Sequence, residues 1–142
     1  MKTRWAALMA AVALAGCQQG PSVEDAWVRL PAVPGRPAAG YAIVHGGGGA
    51  GRVLTGVSSP AAERAELHES MTGHGSMMAM QPLDRVRVNG TVSFSPGGKH
   101  IMLFGLSPDL RAGASAPMTF AFEDGAKVTV DAKLVAAGDP AP

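Results

Sequence analysis

The sequence predicts an all-β fold, an antiparallel sandwich or barrel, on three observations. Apolar segments of strand length recur along the chain, each ended by a turn signal. Gly and Pro supply 19 and 11 of the 142 residues, about a fifth, which leaves no room for a long amphipathic helix. Thr119-Phe120-Ala121-Phe122 and Lys127-Val128-Thr129-Val130-Asp131 alternate with period two around Glu123-Asp124-Gly125-Ala126, the pattern of a hairpin closed at Asp-Gly.

The chain begins with an address rather than a fold element. Lys2 and Arg4 precede an apolar run rich in Ala and Leu that ends Leu14-Ala15-Gly16-Cys17. A basic start, a short apolar stretch and small residues before a cleavage point mark a secretory signal. The run is too short to span a bilayer. The ending is similar to a bacterial lipobox, so Cys17 is expected to be acylated and to become the mature N-terminus, tethering the domain to a membrane. Removing the residues before Cys17, with Lys2 and Arg4, leaves 126 residues carrying ten basic and eleven acidic side chains. The single Cys rules out an internal disulfide. With that thiol blocked by lipid, thiolate catalysis and thiolate metal sites are excluded too. Residues 18–22 are polar and contain Gly and Pro, which suits a flexible spacer. Gln18, rather than Asp, after the Cys favours the outer membrane in a Gram-negative host.

From residue 23 the strand candidates are 26–30, 40–45, 52–57, 65–68, 91–94, 101–106, 118–122 and 127–135. Each is followed by breakers such as Ser58-Ser59-Pro60, Asn89-Gly90 or Pro96-Gly97-Gly98. Residues 107–111 are expected to form one helical turn. The run Gly46-Gly47-Gly48-Gly49-Ala50-Gly51 looks like a phosphate loop but lacks the closing Lys-Ser/Thr and a following helix, so it reads as a hairpin loop. Residues 136–142 are expected to be a disordered tail. One domain, 23–135, is the reading that this length supports.

Function classes narrow quickly. Twelve basic against eleven acidic side chains leave no positive field for nucleic acid. No Ser-His-Asp motif or activated nucleophile is evident, so no enzyme chemistry is expected. The anomaly is methionine and histidine: five methionines and three histidines fall between His68 and Met102. In a strand, residues two apart share a face, so His100 and Met102 project together while Ile101 enters the core. His68 ends another strand candidate, and Met80 follows a Met-rich loop. Two imidazoles with one or two thioethers form a soft, uncharged donor set that selects Cu(I), whereas zinc prefers thiolate, imidazole and carboxylate. Met118 reads as core filler, His45 as an ordinary strand-end residue, and Glu69 as solvated.

Ala65-Glu66-Leu67-His68-Glu69, the stretch ending Met80-Gln81-Pro82, and Pro96-Gly97-Gly98-Lys99-His100-Ile101-Met102-Leu103 resemble the PCu(A)C-type periplasmic copper chaperones. Ala26-Trp27-Val28-Arg29, Ala38-Ala39-Gly40-Tyr41 and Phe122-Glu123-Asp124-Gly125 extend the resemblance over residues 23–135. It implies a cupredoxin-like β-sandwich or barrel with Greek-key connections that carries Cu(I), in some members Cu(II) as well. It also implies a copper-accepting partner on the route to cytochrome c oxidase assembly, or a role in copper homeostasis outside the cytoplasm. The implied ligands are His68, Met80, His100 and Met102. The family spaces them as His, ten residues, Met, twenty-one residues, His-x-Met. Here the gaps enclose eleven and nineteen, and Met78 would restore the second gap but shorten the first. Met-Gln-Pro-Leu favours Met80 as the loop ligand, with a shorter Asn89-Gly90 hairpin absorbing the difference. Met71, His74, Met77 and Met78 could hold a second, weaker ion. The resulting expectation is a lipid-anchored copper carrier on the periplasmic side. A copper buffer without a dedicated partner and a metal-free β interaction domain remain alternatives. An electron-transfer cupredoxin would need a thiolate that the domain lacks.

Overall fold

The computed structural model describes residues 19–72 and 78–142. Cys17, His74 and Met77, with the signal segment, lie outside the described residues. Among the described residues ten strands follow one another, with no helix: β1 (Ser22–Arg29), β2 (Ala38–His45), β3 (Arg52–Ser58), β4 (Ala62–Thr72), β5 (Met78–Leu83), β6 (Val86–Val88), β7 (Thr91–Phe94), β8 (Lys99–Leu106), β9 (Ser115–Phe122) and β10 (Lys127–Val135). Eight coincide with the expected segments, most of them running a few residues longer. The Met-rich stretch before Pro82, expected as loop, instead contributes β5. Met, Ala, Gln and Pro carry a weak strand signal, and Pro82 is tolerated because β5 is an edge strand with no partner beyond it in the sheet.

The strand order is β5-β4-β8-β2-β1-β10-β9-β3-β6, with β7 also on β2. The first and last strands in this order, β5 and β6, are joined by Asp84 and Arg85 alone. The two ends of the sheet are therefore within about 11 Å at that point, since each peptide step spans at most 3.8 Å, and the sheet curls into a flattened barrel. β1 and β10 pair in parallel; every other pairing is antiparallel, so the sheet departs from a wholly antiparallel one at that single seam. Inside lies one apolar cluster. Burial alternates strictly from Ala116 to Phe122 along β9, and Leu54, Ile101, Met118 and Phe120 are sealed from solvent. Met118 is core, as its sequence context indicated.

Three local expectations are corrected. The 46–51 glycine run is not a hairpin loop, because β1, β7 and β8 occupy both sides of β2 and leave β3 to pair with β9 and β6. Asn89-Gly90 likewise passes the chain from β6, on β3, to β7, on β2, and is not the tip of a hairpin. Residues 107–111 form no helical turn; Leu110 N donates to Ser107 O at 3.4 Å and Ala114 N to Arg111 O at 3.2 Å, two successive reverse turns. The 136–142 tail turns back across β1, with Arg29 Nη2 donating to Asp139 O at 3.0 Å.

One irregularity positions the metal candidates. β7 and β8 lie in line along β2, Phe94 opposite Ala42 and Ile101 opposite Gly40. Two steps along β2 thus correspond to seven along its partner. The surplus residues form the Ser95–Gly98 turn, closed by Gly98 N to Ser95 O at 3.0 Å and Ser95 N to Lys99 O at 2.8 Å. Gly97 has φ of +84°, a conformation that disfavours residues with a Cβ. Past the turn Lys99 and His100 pair with β4 and not with β2, in the register that β8 keeps along β4 from Leu106 onward.

Elsewhere on the barrel, Arg52 joins the glycine run to the β9–β10 turn. Its Nε donates to Asp124 Oδ2 at 2.8 Å and its Nη1 to Gly46 O. The amide of Ala126, then Arg52, hold the Asp124 carboxyl below the usual carboxylate range. A depressed carboxylate stabilises the fold above its ordinary range and loses that contribution as pH falls through the depressed value. Thermal melts of Asp124→Asn are therefore expected to show a lower melting temperature at neutral pH and a shallower loss of stability on acidification than the parent. Truncating the sealed Phe120 to Ala is expected to cost about 3–5 kcal/mol in urea unfolding.

Candidate metal centre

His68 on β4 and His100 on β8 stand directly opposite each other. Leu67 and Ile101, one residue along on each strand, turn into the core at 4% and 0% exposure, so strand alternation sends both imidazoles to the outer face of the sheet. Their ring centroids are 5.9 Å apart, with the planes inclined at 34°. A single ion bonded to one nitrogen of each ring at about 2 Å would place the centroids roughly 5–6 Å apart, which the observed spacing satisfies.

The hydrogen bonds decide which nitrogens are free. His100 Nδ1 is 2.9 Å from Gly98 O. A carbonyl only accepts, so the neutral ring donates from Nδ1–H and keeps its lone pair on Nε2. His68 Nε2 is 3.0 Å from Glu66 Oε2; the carboxylate accepts, and the lone pair of His68 resides on Nδ1. Both of these remaining nitrogens, His68 Nδ1 and His100 Nε2, are buried and without a hydrogen-bond partner. Buried nitrogens are rarely left unpaired because lost hydration costs roughly 1–3 kcal/mol each. Two on facing rings form a pair of lone-pair donors ready for an ion.

Glu66 is the residue that sequence reading missed. Glu66 is two residues before His68 on β4 and shares its face. The Glu-x-His spacing on a strand was the available signal. Arg64 Nε donates to Glu66 Oε1 at 2.8 Å, and the His68 hydrogen bond, then Arg64, hold this carboxyl below its ordinary range. A carboxylate behind a ligand imidazole fixes its tautomer and strengthens its free nitrogen as a donor. Glu69, one residue on, points the other way and pairs with Lys99 Nζ at 2.8 Å.

Methionines supply the remaining donors on this face. Met102 stands opposite Glu66 on one side and Ala39 on the other, half-buried and two residues from His100. Met80 faces Ser70 across the β4–β5 pair, two residues from Pro82, which is opposite His68. It therefore shares the face of His68, and at 61% exposure it stands at the open margin. The four predicted ligands thus share one face of three neighbouring strands. Met71 pairs with Ala79 and belongs, by alternation, to the opposite face; the structure does not bring it to the histidine pair. Met78 pairs with Thr72 at the far end of β5. Among the described residues no group of three His, Cys, Asp or Glu side chains is placed to hold a metal. The soft donors that share this face with the two rings are the thioethers of Met102 and Met80, which favour soft ions. His45 is remote from the pair, its Nδ1 2.9 Å from Thr91 Oγ1.

Comparison with known proteins follows the same lines. The family model described as LpqE-like, "Putative lipoprotein LpqE-like", matches residues 22–134. The putative lipoprotein Lxx21020 of Leifsonia xyli subsp. xyli is 36% identical over 108 residues, 75% of this chain and 64% of that protein. The uncharacterized protein RP573 of Rickettsia prowazekii is 31% identical over 83 residues, 57% of this chain and 46% of that one. The chain thus spans less than two thirds of the length of these curated relatives. Among solved structures, the copper-bound PCuAC domain from PmoF2 superposes with a TM-score of 0.64 at 28% identity, covering 82% of this chain and 92% of that domain. The solution structure of CuI-DR1885 from Deinococcus radiodurans gives a TM-score of 0.56 at 26% identity, covering 85% and 83%. Since the family model runs from the first residue of β1 to within one residue of the end of β10, the chain belongs to the LpqE-like family, and its barrel is of the PCuAC, cupredoxin-like type.

Proposed function

We propose that this domain is a copper carrier. It binds one Cu(I) through His68 Nδ1, His100 Nε2 and the thioethers of Met102 and Met80, and it hands the ion to a copper-accepting protein. The observation that carries the reading is the pair of buried, unpartnered imidazole nitrogens on facing rings, on a face whose other soft donors are methionines. The likeness to a copper-bound PCuAC domain and to CuI-DR1885 supports it. Cu(II) would find the two imidazoles but weaker partners in the thioethers, so Cu(I) is the principal cargo.

Delivery rather than catalysis suits the site. His100, Met102 and His68 are held by the sheet, whereas Met80 sits exposed on an edge strand. A partner's ligands can displace that thioether first and take the ion stepwise. The thioethers need no deprotonation, so protons compete with the ion only at the two imidazoles. The acceptor on this reading belongs to respiratory oxidase copper-site assembly. A lipid on Cys17 would hold the carrier on the periplasmic side of a membrane, an assignment that rests on the Leu-Ala-Gly-Cys text and on the lipoprotein names of the relatives. A copper buffer would share the same site, and transfer to an oxidase copper centre is the assay that separates the two.

Anaerobic Cu(I) titration of the chain from Cys17 onwards, against a competing chelator, is expected to give tight one-to-one binding. His100→Ala with Met102→Ala should abolish it. Unchanged binding in the double variant, with its circular dichroism intact, would remove the metal reading. Met80→Ala is expected to weaken affinity less than His100→Ala but to speed loss of copper to the chelator, because it removes the exposed ligand; stopped-flow transfer rates measure this. Glu66→Gln keeps an acceptor for His68 Nε2 but removes the charge, and is expected to lower Cu(I) affinity about 10-fold or more, as loss of such outer partners does.

A further inference from the structure

The strand registers fix which end of the barrel the N-terminal tether leaves. β1 starts at Ser22, opposite His45, the last residue of β2, so residues 19–21 depart at the C-terminal end of β2. The glycine run receives them there. Gly48 N donates to Gln19 O at 3.1 Å. Gly47, at φ +77°, packs so closely that a Cβ would stand 2.7 Å from Gly20 O and collide with Gln19 O. Arg52 braces the run through Gly46 O and Asp124. The run that resembled a phosphate loop is thus a clamp on the tether. Only Gln18 separates the clamped Gln19 from Cys17, a reach of about 7 Å when fully extended.

The same end carries the open margin of the histidine-methionine face. β4 and β2 are both antiparallel to β8, so they run in the same direction. β8 begins at Lys99, opposite Glu69. Residues 70–72 of β4 continue past it, paired with β5 alone, as a ribbon directed toward the end from which the tether leaves. Of the exposed large hydrophobic side chains among the described residues, Met71 and Met80 lie on this ribbon, at 49% and 61% exposure. The third, Val33, lies between the end of β1 and the start of β2, at the opposite end.

We infer that the lipid on Cys17 and the glycine clamp together hold the domain with the Met80 ribbon turned toward the bilayer, so that it exchanges its ion with a membrane-embedded protein whose metal-accepting side chains lie at the bilayer surface. This deepens the proposed function and rests on its metal site and its anchor. Exposed thioether side chains are apolar and adaptable, which suits a surface that meets both a lipid interface and a protein partner. A free, unclamped tether would let the domain tumble and expose the ribbon to soluble carriers; the clamp removes that freedom.

The test uses the acylated full chain with one new thiol, Ala79→Cys on the ribbon or Ala32→Cys at the opposite end, both exposed positions. Acylation blocks Cys17, so a maleimide fluorophore reads the introduced position alone. In phosphatidylcholine–phosphatidylglycerol vesicles carrying a spin-labelled headgroup lipid, the label at Ala79→Cys should be quenched several-fold more than that at Ala32→Cys. A Gly/Ser linker inserted between Gln18 and Gln19 should erase the difference. Equal quenching in the native-length chain overturns the orientation, as does a difference that survives the linker. Vesicle flotation of the same samples separates the failures: protein that does not float, or that takes label at Cys17, removes the anchor and the inference with it. Floating protein with equal quenching removes the orientation alone. For the partner class, a Cu(I) chelator grafted to a large dextran should strip the vesicle-bound domain several-fold more slowly than the detergent-released one, while the free chelator strips both alike. Equal rates with the grafted chelator would open the ribbon to soluble carriers and overturn the membrane partner. Absence of Cu(I) binding in both forms would overturn the exchange role itself.

Discussion

The carbonyl of Gly98 organises the candidate site. It accepts from Ser70 N at 3.1 Å and from His100 Nδ1 at 2.9 Å, and so ties the start of β8 to β4 while fixing the tautomer of a buried imidazole. That carbonyl is in place because the Ser95–Gly98 turn interrupts the line of β7 and β8 along β2. The interruption releases Lys99 and His100 from β2, while their register on β4 continues unbroken to His68 and Glu69. An acceptor for one ring N–H and a free lone pair on the other nitrogen is the usual arrangement behind a metal-bound histidine. Gly98 supplies it for His100 through the backbone, and Glu66 supplies it for His68 through a side chain.

The two supports differ in kind. Gly98 O is a neutral acceptor set by a turn with a positive-φ glycine, so His100 is oriented by the fold. Glu66 is charged, shared with Arg64, and lies at the surface, so His68 is oriented by a small electrostatic network. His100, at 4% exposure, is the more enclosed of the two rings. Enclosure therefore grades across the face, from His100 through His68 and Met102 to Met80 at the margin. On the proposed role that gradient separates retention from release: the enclosed ligands hold an ion and the exposed one admits a competitor.

Most of the barrel was legible in the sequence because period-two alternation and breaker clusters are local signals. The β9–β10 hairpin follows directly from Thr119 to Asp131, and the His100-x-Met102 pair from the same periodicity. β5 was not legible: its residues carry weak strand propensity, and only pairing with β4 makes Met78–Leu83 a strand. The closure of β3, β6 and β7 was hidden for the same reason, since strand partners are long-range facts that no window of sequence contains. Glu66 lay within reach of the alternation argument and needed only a count of two from His68. The Gly98 carbonyl did not, since a backbone acceptor leaves no mark on side-chain identity. The glycine run shows the converse: its residues were conspicuous, but their meaning depends on Gln19 and Gly20 passing where a Cβ would stand.

On the proposed role, the facing imidazoles and the methionine thioethers share one copper ion. X-ray absorption of the Cu(I)-loaded domain tests it most directly, because nitrogen and sulfur scatter differently. The predicted spectrum contains both shells, two nitrogens at about 2.0 Å and one or two sulfurs at about 2.3 Å, by analogy with zinc distances, and the sulfur shell weakens in Met102→Ala. A first shell of nitrogen and oxygen alone, unchanged in that variant, would contradict the account.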